Sequence, residues 1–217
     1  MTFSNRMQAG VLLAKKLREN ALKSAVVIGL ARGGVPVAAA IASALQIPVD
    51  VMVVKKIGSP MNPEFGLGAV APDGVTFIDW RTAHRVGADE EYIKGVIRDT
   101  REVIREKTLL YRKKKKQYAL RDKIVILADD GAATGATLEA ATRWLRVKKA
   151  RKIIVALPVA PLDVVSKIKP EVDHLIVLET PKEFGSVGEF YKDFSEVSDE
   201  EVIELLRRHS RVHGNPE

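Results

Sequence analysis

The sequence contains no cysteine, so neither a disulfide framework nor a thiolate metal site can be built, and nothing in it calls for an oxidising compartment. No uncharged apolar run approaches the length of a bilayer span. The opening residues Met1-Thr2-Phe3-Ser4-Asn5-Arg6 lack a basic stretch followed by an apolar one. A cytoplasmic chain that does not engage a membrane is expected. Absent too are the Gly-Lys-Ser/Thr ending of a Walker loop, the elbow motif of a serine hydrolase, and any internal repeat or low-complexity tract. Gly66-Leu67-Gly68-Ala69-Val70-Ala71 is no dinucleotide fingerprint, because it follows no buried strand and runs into Pro72 instead of a helix. His209 and His213 stand four residues apart, but with no Glu beside them they make a poor hydrolytic metal site.

What is present fits one α/β domain of 217 residues, large enough to bury a full core. Thirty-five Lys and Arg against 28 Asp and Glu give a net charge of +7, which favours a polyanionic ligand, either a small molecule or a nucleic acid. The densest basic run, Lys113-Lys114-Lys115-Lys116, and the cluster Arg146, Lys148, Lys149, Arg151 and Lys152 both fall where a predicted helix ends. Cations there complement the negative end of the helix dipole, so both read first as solvated surface.

Hydrophobic periodicity places an amphipathic helix over residues 7–22, with Val11, Leu12, Leu17 and Leu22 on its apolar face. Short β-branched runs at 25–30 and 49–54 read as strands buried on both faces, separated by a helix that ends at Leu45, with Pro36 in its first turn. Residues 55–80 are rich in Gly and Pro and read as a mobile loop with a small hairpin outside the main sheet. A long helix over 89–111 follows. Strands at 123–128, 152–157 and 175–178 then alternate with helices at 135–147 and 162–168, and a last helix spans 199–208. Alternation of this kind predicts an open, mostly parallel sheet flanked by helices.

Chemistry concentrates in Asp129-Asp130-Gly131-Ala132-Ala133-Thr134-Gly135-Ala136-Thr137, where a buried strand ends in two carboxylates and a helix begins with two hydroxyls nearby. Amides at a helix N-terminus attract an anion, and Gly131, Ala132, Gly135 and Ala136 let it approach the backbone. Thr134 and Thr137 can donate to a phosphate. Asp129 and Asp130 would repel that phosphate, so they must face a donor such as a sugar diol or a hydrated magnesium ion. A sugar phosphate satisfies both halves of the loop. The plainer reading, that the acids only cap the next helix, needs one Asp and not two.

This segment resembles the binding motif for phosphoribosyl pyrophosphate (PRPP) in type I phosphoribosyltransferases, and Ala31-Arg32-Gly33-Gly34 resembles the pyrophosphate loop of the same family. Three further stretches are similar to one branch of predicted bacterial and archaeal members: residues 55–64, Leu178-Glu179-Thr180-Pro181, and residues 187–194. The resemblance covers nearly the whole chain. It implies a type I phosphoribosyltransferase fold with a core to about residue 179, including the loop and hairpin of 55–80, and a small C-terminal hood and helix over about 180–217. It also implies transfer of a phosphoribosyl group from magnesium-bound PRPP to a nitrogenous acceptor, and a homodimer. Asp129 and Asp130 would take the ribose hydroxyls, and magnesium through them or through water. Arg32, with Lys55 or Lys56, would hold pyrophosphate. Phe184, Phe190 and Tyr191 would form a hood over the acceptor. Where 6-oxopurine enzymes place an Asp before Thr-Gly, this chain has Ala133, so acid or base help falls to another group, with Glu64 on the mobile loop the candidate. The competing class is a PRPP-sensing regulator on the same fold whose basic surface meets nucleic acid.

Overall fold

The computed structural model describes residues 2–18, 24–63, 65–113 and 119–213, with side chains up to residue 209. In chain order the elements are α1 (Arg6–Leu17), β1 (Ala25–Leu30), α2 (Gly34–Leu45), β2 (Val49–Met52), β3 (Lys55–Gly58), β4 (Gly66–Val70), β5 (Thr76–Ile78), α3 (Trp80–Arg85), α4 (Glu90–Arg112), β6 (Ile124–Ala128), α5 (Ala136–Val147), β7 (Lys152–Val159), α6 (Leu162–Ile168), β8 (His174–Glu179) and α7 (Asp199–His213). Five strands form one parallel sheet in the order β2-β1-β6-β7-β8. Burial along β1, β2 and β6 is unbroken, as parallel strands covered on both faces require. Alternation along β1 and β6 divides the core. Val27, Ile124 and Ile126 face α1, α2, α4 and α7, whereas Val26, Ile28, Val125 and Leu127 face α5 and α6. Among the described residues no helix is long and apolar enough to cross a membrane.

Several sequence expectations shift in the structure. In α1 the buried residues are Ala9, Gly10, Leu13, Ala14 and Leu17, while Val11 is 44% exposed. A Cβ on Gly10 would lie 2.5 Å from the Val37 carbonyl oxygen and 2.6 Å from the Ala40 Cβ. Close approach to α2 therefore selects the face that carries Gly10, Ala14 and the expected Leu17, and turns Val11 outward. Leu22, expected on that apolar face, lies outside the described residues. In α4, where helical spacing groups Ile93, Val103, Ile104, Leu110 and Tyr111, Ile93, Ile104 and Tyr111 are buried, but Val103 and Leu110 are exposed.

The second strand also ends sooner than its apolar run. Ala31 N–H bonds the Met52 carbonyl at 2.9 Å, and the chain then leaves the parallel sheet. The Gly/Pro-rich stretch forms a separate three-stranded antiparallel sheet, β3-β4-β5, larger than a hairpin. Tyr92 Oη of α4 donates to the Gly58 carbonyl at 2.9 Å, pinning the end of β3.

The outer edge of the main sheet is closed by a buried ion pair. Arg112 presents a fork to Asp50, Nε to Oδ1 at 2.9 Å and Nη2 to Oδ2 at 3.0 Å, and Nη2 also reaches the Val51 carbonyl at 2.9 Å. Removing one member of such a pair strands the other. Asp50→Ala or Arg112→Ala should each lower the unfolding free energy by about 3–5 kcal/mol in urea titrations, and the joint change Asp50→Leu with Arg112→Met should cost less than either single.

Candidate active site

Parallel pairing of β1 with β6 sets Gly29 opposite Ala128, so the two chains leave the sheet side by side at its carboxyl edge. From β1 comes a tight turn through Ala31, Arg32, Gly33 and Gly34, closed by Val35 N–H to the Arg32 carbonyl at 3.0 Å, with a cis peptide between Ala31 and Arg32. From β6 come Asp129 and Asp130. The turn lies directly on the acids. A Cβ on Gly33 would stand 2.0 Å from Asp130 Oδ2, and one on Gly34 would stand 2.6 Å from the Ala128 carbonyl oxygen and 2.8 Å from the Asp129 Cα. Only glycine fits at either position. Neither adopts a positive φ, so it is room and not conformational freedom that demands them at this interface.

Beyond the acids the chain turns sharply at Gly131, whose added Cβ would strike Val187, and at Gly135, which adopts φ +80° and starts α5. No side chain caps α5, which removes the capping role from Asp129 and Asp130. Asp129 Oδ1 instead accepts from the Asp130 amide at 2.9 Å. Among the described residues, the amides of Ala133, Thr134, Gly135, Ala136 and Thr137 and the hydroxyls of Thr134 and Thr137 meet no protein acceptor; Ala132 N–H alone bonds back, to the Val159 carbonyl. That leaves a row of open donors at a helix N-terminus, the physical form of an anion cradle.

The electrostatics of the pair are unfavourable without a partner. Burial, and then the charge of Asp130, hold Asp129 well above the usual carboxylate range. Burial also raises Asp130, against the pull of the Arg6 guanidinium. Lys56 is the lysine of its pair whose charge bears on Asp129; both Lys55 and Lys56 are exposed on β3. Arg32 is exposed and contacts Glu196, with Asp199 at 4.0 Å.

Two residues at this site had no place in the sequence reading. Arg6 Nε bonds Asp130 Oδ2 at 2.8 Å, and Glu196 occupies Arg32. Arg6, Arg32, Gly33, Asp130, Phe194 and Glu196 line an open cavity of about 410 Å³. The aromatics separate into two groups. Tyr191 is buried, donates its hydroxyl to the Asp130 carbonyl at 2.6 Å and packs against Phe3 and Phe194. Burial and the neighbouring Asp130 push its phenol upward, so it forms part of the site's floor. Phe184 and Phe190 stack on each other, half-buried, with centroids 5.6 Å apart. Glu64 and Lys114 to Lys116 lie outside the described residues.

Because Gly33 touches Asp130, Gly33→Ala must displace that carboxylate. Its unfolding free energy in urea should fall by about 1–3 kcal/mol. Gly66→Ala, where a Cβ meets nothing within 4 Å, serves as the control and should stay close to the parent.

The profile of the phosphoribosyl transferase domain matches residues 5–195. Two Mycobacterium tuberculosis proteins, of strains CDC 1551 and H37Rv, each provisionally named a phosphoribosyl transferase, are 37% identical over 209 residues, 96% of this chain and 47% of their own length. The chain thus spans about half the length of the curated relatives it matches. The crystal structure of TT1426 from Thermus thermophilus superposes with a TM-score of 0.82 at 39% identity, covering 96% of this chain and 99% of that one. The AQ2163 protein of Aquifex aeolicus shares the fold alone, with a TM-score of 0.54 at 13% identity over 84% of this chain and 78% of that one. Five parallel strands flanked by helices, a match over residues 5–195 and these relatives place the chain in the phosphoribosyl transferase domain family, with a type I phosphoribosyltransferase fold.

Proposed function

We propose that this chain transfers the 5-phosphoribosyl group of PRPP to a nitrogenous acceptor, a nucleobase being the class that fits best, and releases pyrophosphate. The observation that carries the reading is the contact of two loops with opposite needs: a cationic, glycine-lined turn at residues 31–34 lies against an acidic pair that opens onto a row of free amides. A ligand that is anionic at both ends and carries hydroxyls in the middle satisfies all three. In this reading the amides of residues 133–137 and the hydroxyls of Thr134 and Thr137 hold the 5-phosphate. Asp129 and Asp130 accept from the ribose hydroxyls. Arg32, the backbone of Ala31, Gly33 and Gly34, and a lysine of the 55/56 pair, Lys56 being the nearer to the acids in its electrostatic effect, receive the pyrophosphate.

As the bond from the anomeric carbon to pyrophosphate oxygen breaks, negative charge grows on the leaving group where these cations stand, and the acceptor nitrogen bonds the same carbon. Glu64 remains the candidate to take a proton from the acceptor. Phe184 and Phe190 are the stacked pair available to an aromatic acceptor, with Tyr191 supporting the loop beneath. Magnesium, when bound with PRPP, would neutralise further charge on pyrophosphate. The donor set fits that role: two raised carboxylates stand side by side, while the described residues hold no group of three or more His, Asp or Glu able to bind a metal by themselves. Asp129 and Asp130, directly or through water, together with ligand oxygens, would complete its shell.

The test is pyrophosphate release from PRPP and magnesium, screened over purine and pyrimidine bases. Asp129→Asn and Asp130→Asn should each lower kcat/KM at least about a hundredfold while the melting curve stays near the parent's; full turnover in both would remove the reading. PRPP binding without release for any base would instead favour a sensor. Glu196, whose side chain is 78% exposed, competes with pyrophosphate for Arg32. Glu196→Gln should therefore tighten calorimetric binding of magnesium pyrophosphate about twofold to fivefold, the scale of an exposed ion pair.

A further inference from the structure

Arg6 stands at a place that local physics disfavours for a cation. It is the first residue of α1, whose first turn holds no acid, so its charge sits at the positive end of a helix dipole. Its side chain is only 11% exposed, and burying an arginine is costly unless partners replace the lost water. Three do. Nε donates to Asp130 Oδ2 at 2.8 Å, Nη1 donates to the Ser195 carbonyl at 2.8 Å, and the guanidinium lies 3.8 Å from the centroid of the Phe194 ring. Asn5, immediately before it, caps α1 by accepting from the Gln8 amide at 2.9 Å, which fixes the helix start and so the base of the arginine.

Asp130 is confined from every side on which it meets protein. Arg6 holds Oδ2, the bare face of Gly33 presses against the same oxygen, Tyr191 holds the residue's own carbonyl, and Asp129 precedes it. Only the cavity side is open, and Asp130 lines it. We propose that Arg6 is a positioning residue for Asp130: by anchoring one carboxylate oxygen it fixes the carboxylate plane, so that the side facing the cavity meets the sugar hydroxyls of the ligand in one orientation. This rests on the reading of the site as a PRPP site. The role belongs to the sugar half of the ligand. The pyrophosphate half lies with Arg32, Gly33, Gly34 and Lys56, none of which Arg6 bonds.

That division gives the experiment. Magnesium-PRPP and magnesium pyrophosphate are titrated separately by calorimetry into the full chain and into Arg6→Gln and Arg6→Lys. In Arg6→Gln the Kd for PRPP should rise about tenfold, the scale of one charge-assisted hydrogen bond, while the Kd for pyrophosphate, which has no sugar, moves less than about threefold. Arg6→Lys, which keeps the charge, should recover part of the PRPP loss. Should Arg6→Gln fail to fold by circular dichroism, Arg6→Lys carries the comparison, and its PRPP loss must exceed its pyrophosphate loss. Unchanged PRPP affinity, or equal weakening of both ligands, would overturn the role, the second because it marks a residue that merely holds the loops together. Failure of the parent chain to bind PRPP would instead sink the reading of the site and leave the Arg6 contact a structural one.

Discussion

The parallel pairing of β1 with β6 is the constraint on which the site depends. Because Gly29 and Ala128 are opposite one another, the turn after β1 and the loop after β6 emerge at the same height and in the same direction. Their contact then decides the sequence on both sides. Gly33 and Gly34 have no room for a side chain because the chain from Ala128 to Asp130 fills that space, and the acids are half-buried because the turn covers them. A shift of one residue in this register would turn every side chain of β6 to the other face of the sheet. The unbroken apolar burial of both strands is thus part of what aims the carboxylates.

Held this way, the acidic pair is a region of local conflict in an otherwise consistent fold. Two carboxylates on adjacent residues, both raised by burial, would gain from separation or from full hydration, and the fold gives them only partial exposure on the cavity side. It offers partial relief, Arg6 on one side and the field of Lys56 on the other, and leaves the amides of residues 133–137 open beside them. Conflicts of this kind persist where something outside the chain resolves them. Contrast Asp50, more deeply buried but fully matched by the Arg112 fork, where the same chemistry serves only to close an edge of the sheet.

Much of this was legible beforehand because the informative residues are contiguous. The run from Ile124 to Thr137 carries the strand, both acids and the helix start in one segment, so its chemistry could be read without knowing what lies across from it. The alternation of strands and helices was equally local, and the parallel sheet followed from it. What escaped depends on contacts over long separations. Arg6 meets Asp130 across 124 residues, and Arg32 meets Glu196 across 164. A signal for Arg6 did exist: a cation in the first turn of a helix is locally misplaced, and a misplaced charge points to a distant partner. On α1 the expected Leu17 is buried but Val11 is exposed, for a related reason. Periodicity favours Val11, but the backbone approach at Gly10 needs small residues beside it, and that demand comes from α2.

The segment from Phe194 to Asp199 ties these distant contacts together. Within six residues it supplies the Phe194 ring and Ser195 carbonyl to Arg6, the Glu196 carboxylate to Arg32, and Asp199, which accepts from the Tyr111 hydroxyl at 2.7 Å and from Lys107. One arginine belongs to the acidic pair and the other to the turn that covers it, so a single stretch of chain grips both halves of the site. Its two grips differ in kind. Arg6 is enclosed by a ring, a carbonyl and a carboxylate of the protein. Glu196 is largely exposed, and as an exposed ion pair its hold on Arg32 is weak. On the proposed reading, the segment would fix the sugar side of the site and leave the pyrophosphate side exchangeable, an asymmetry suited to a site whose one product leaves as a free anion.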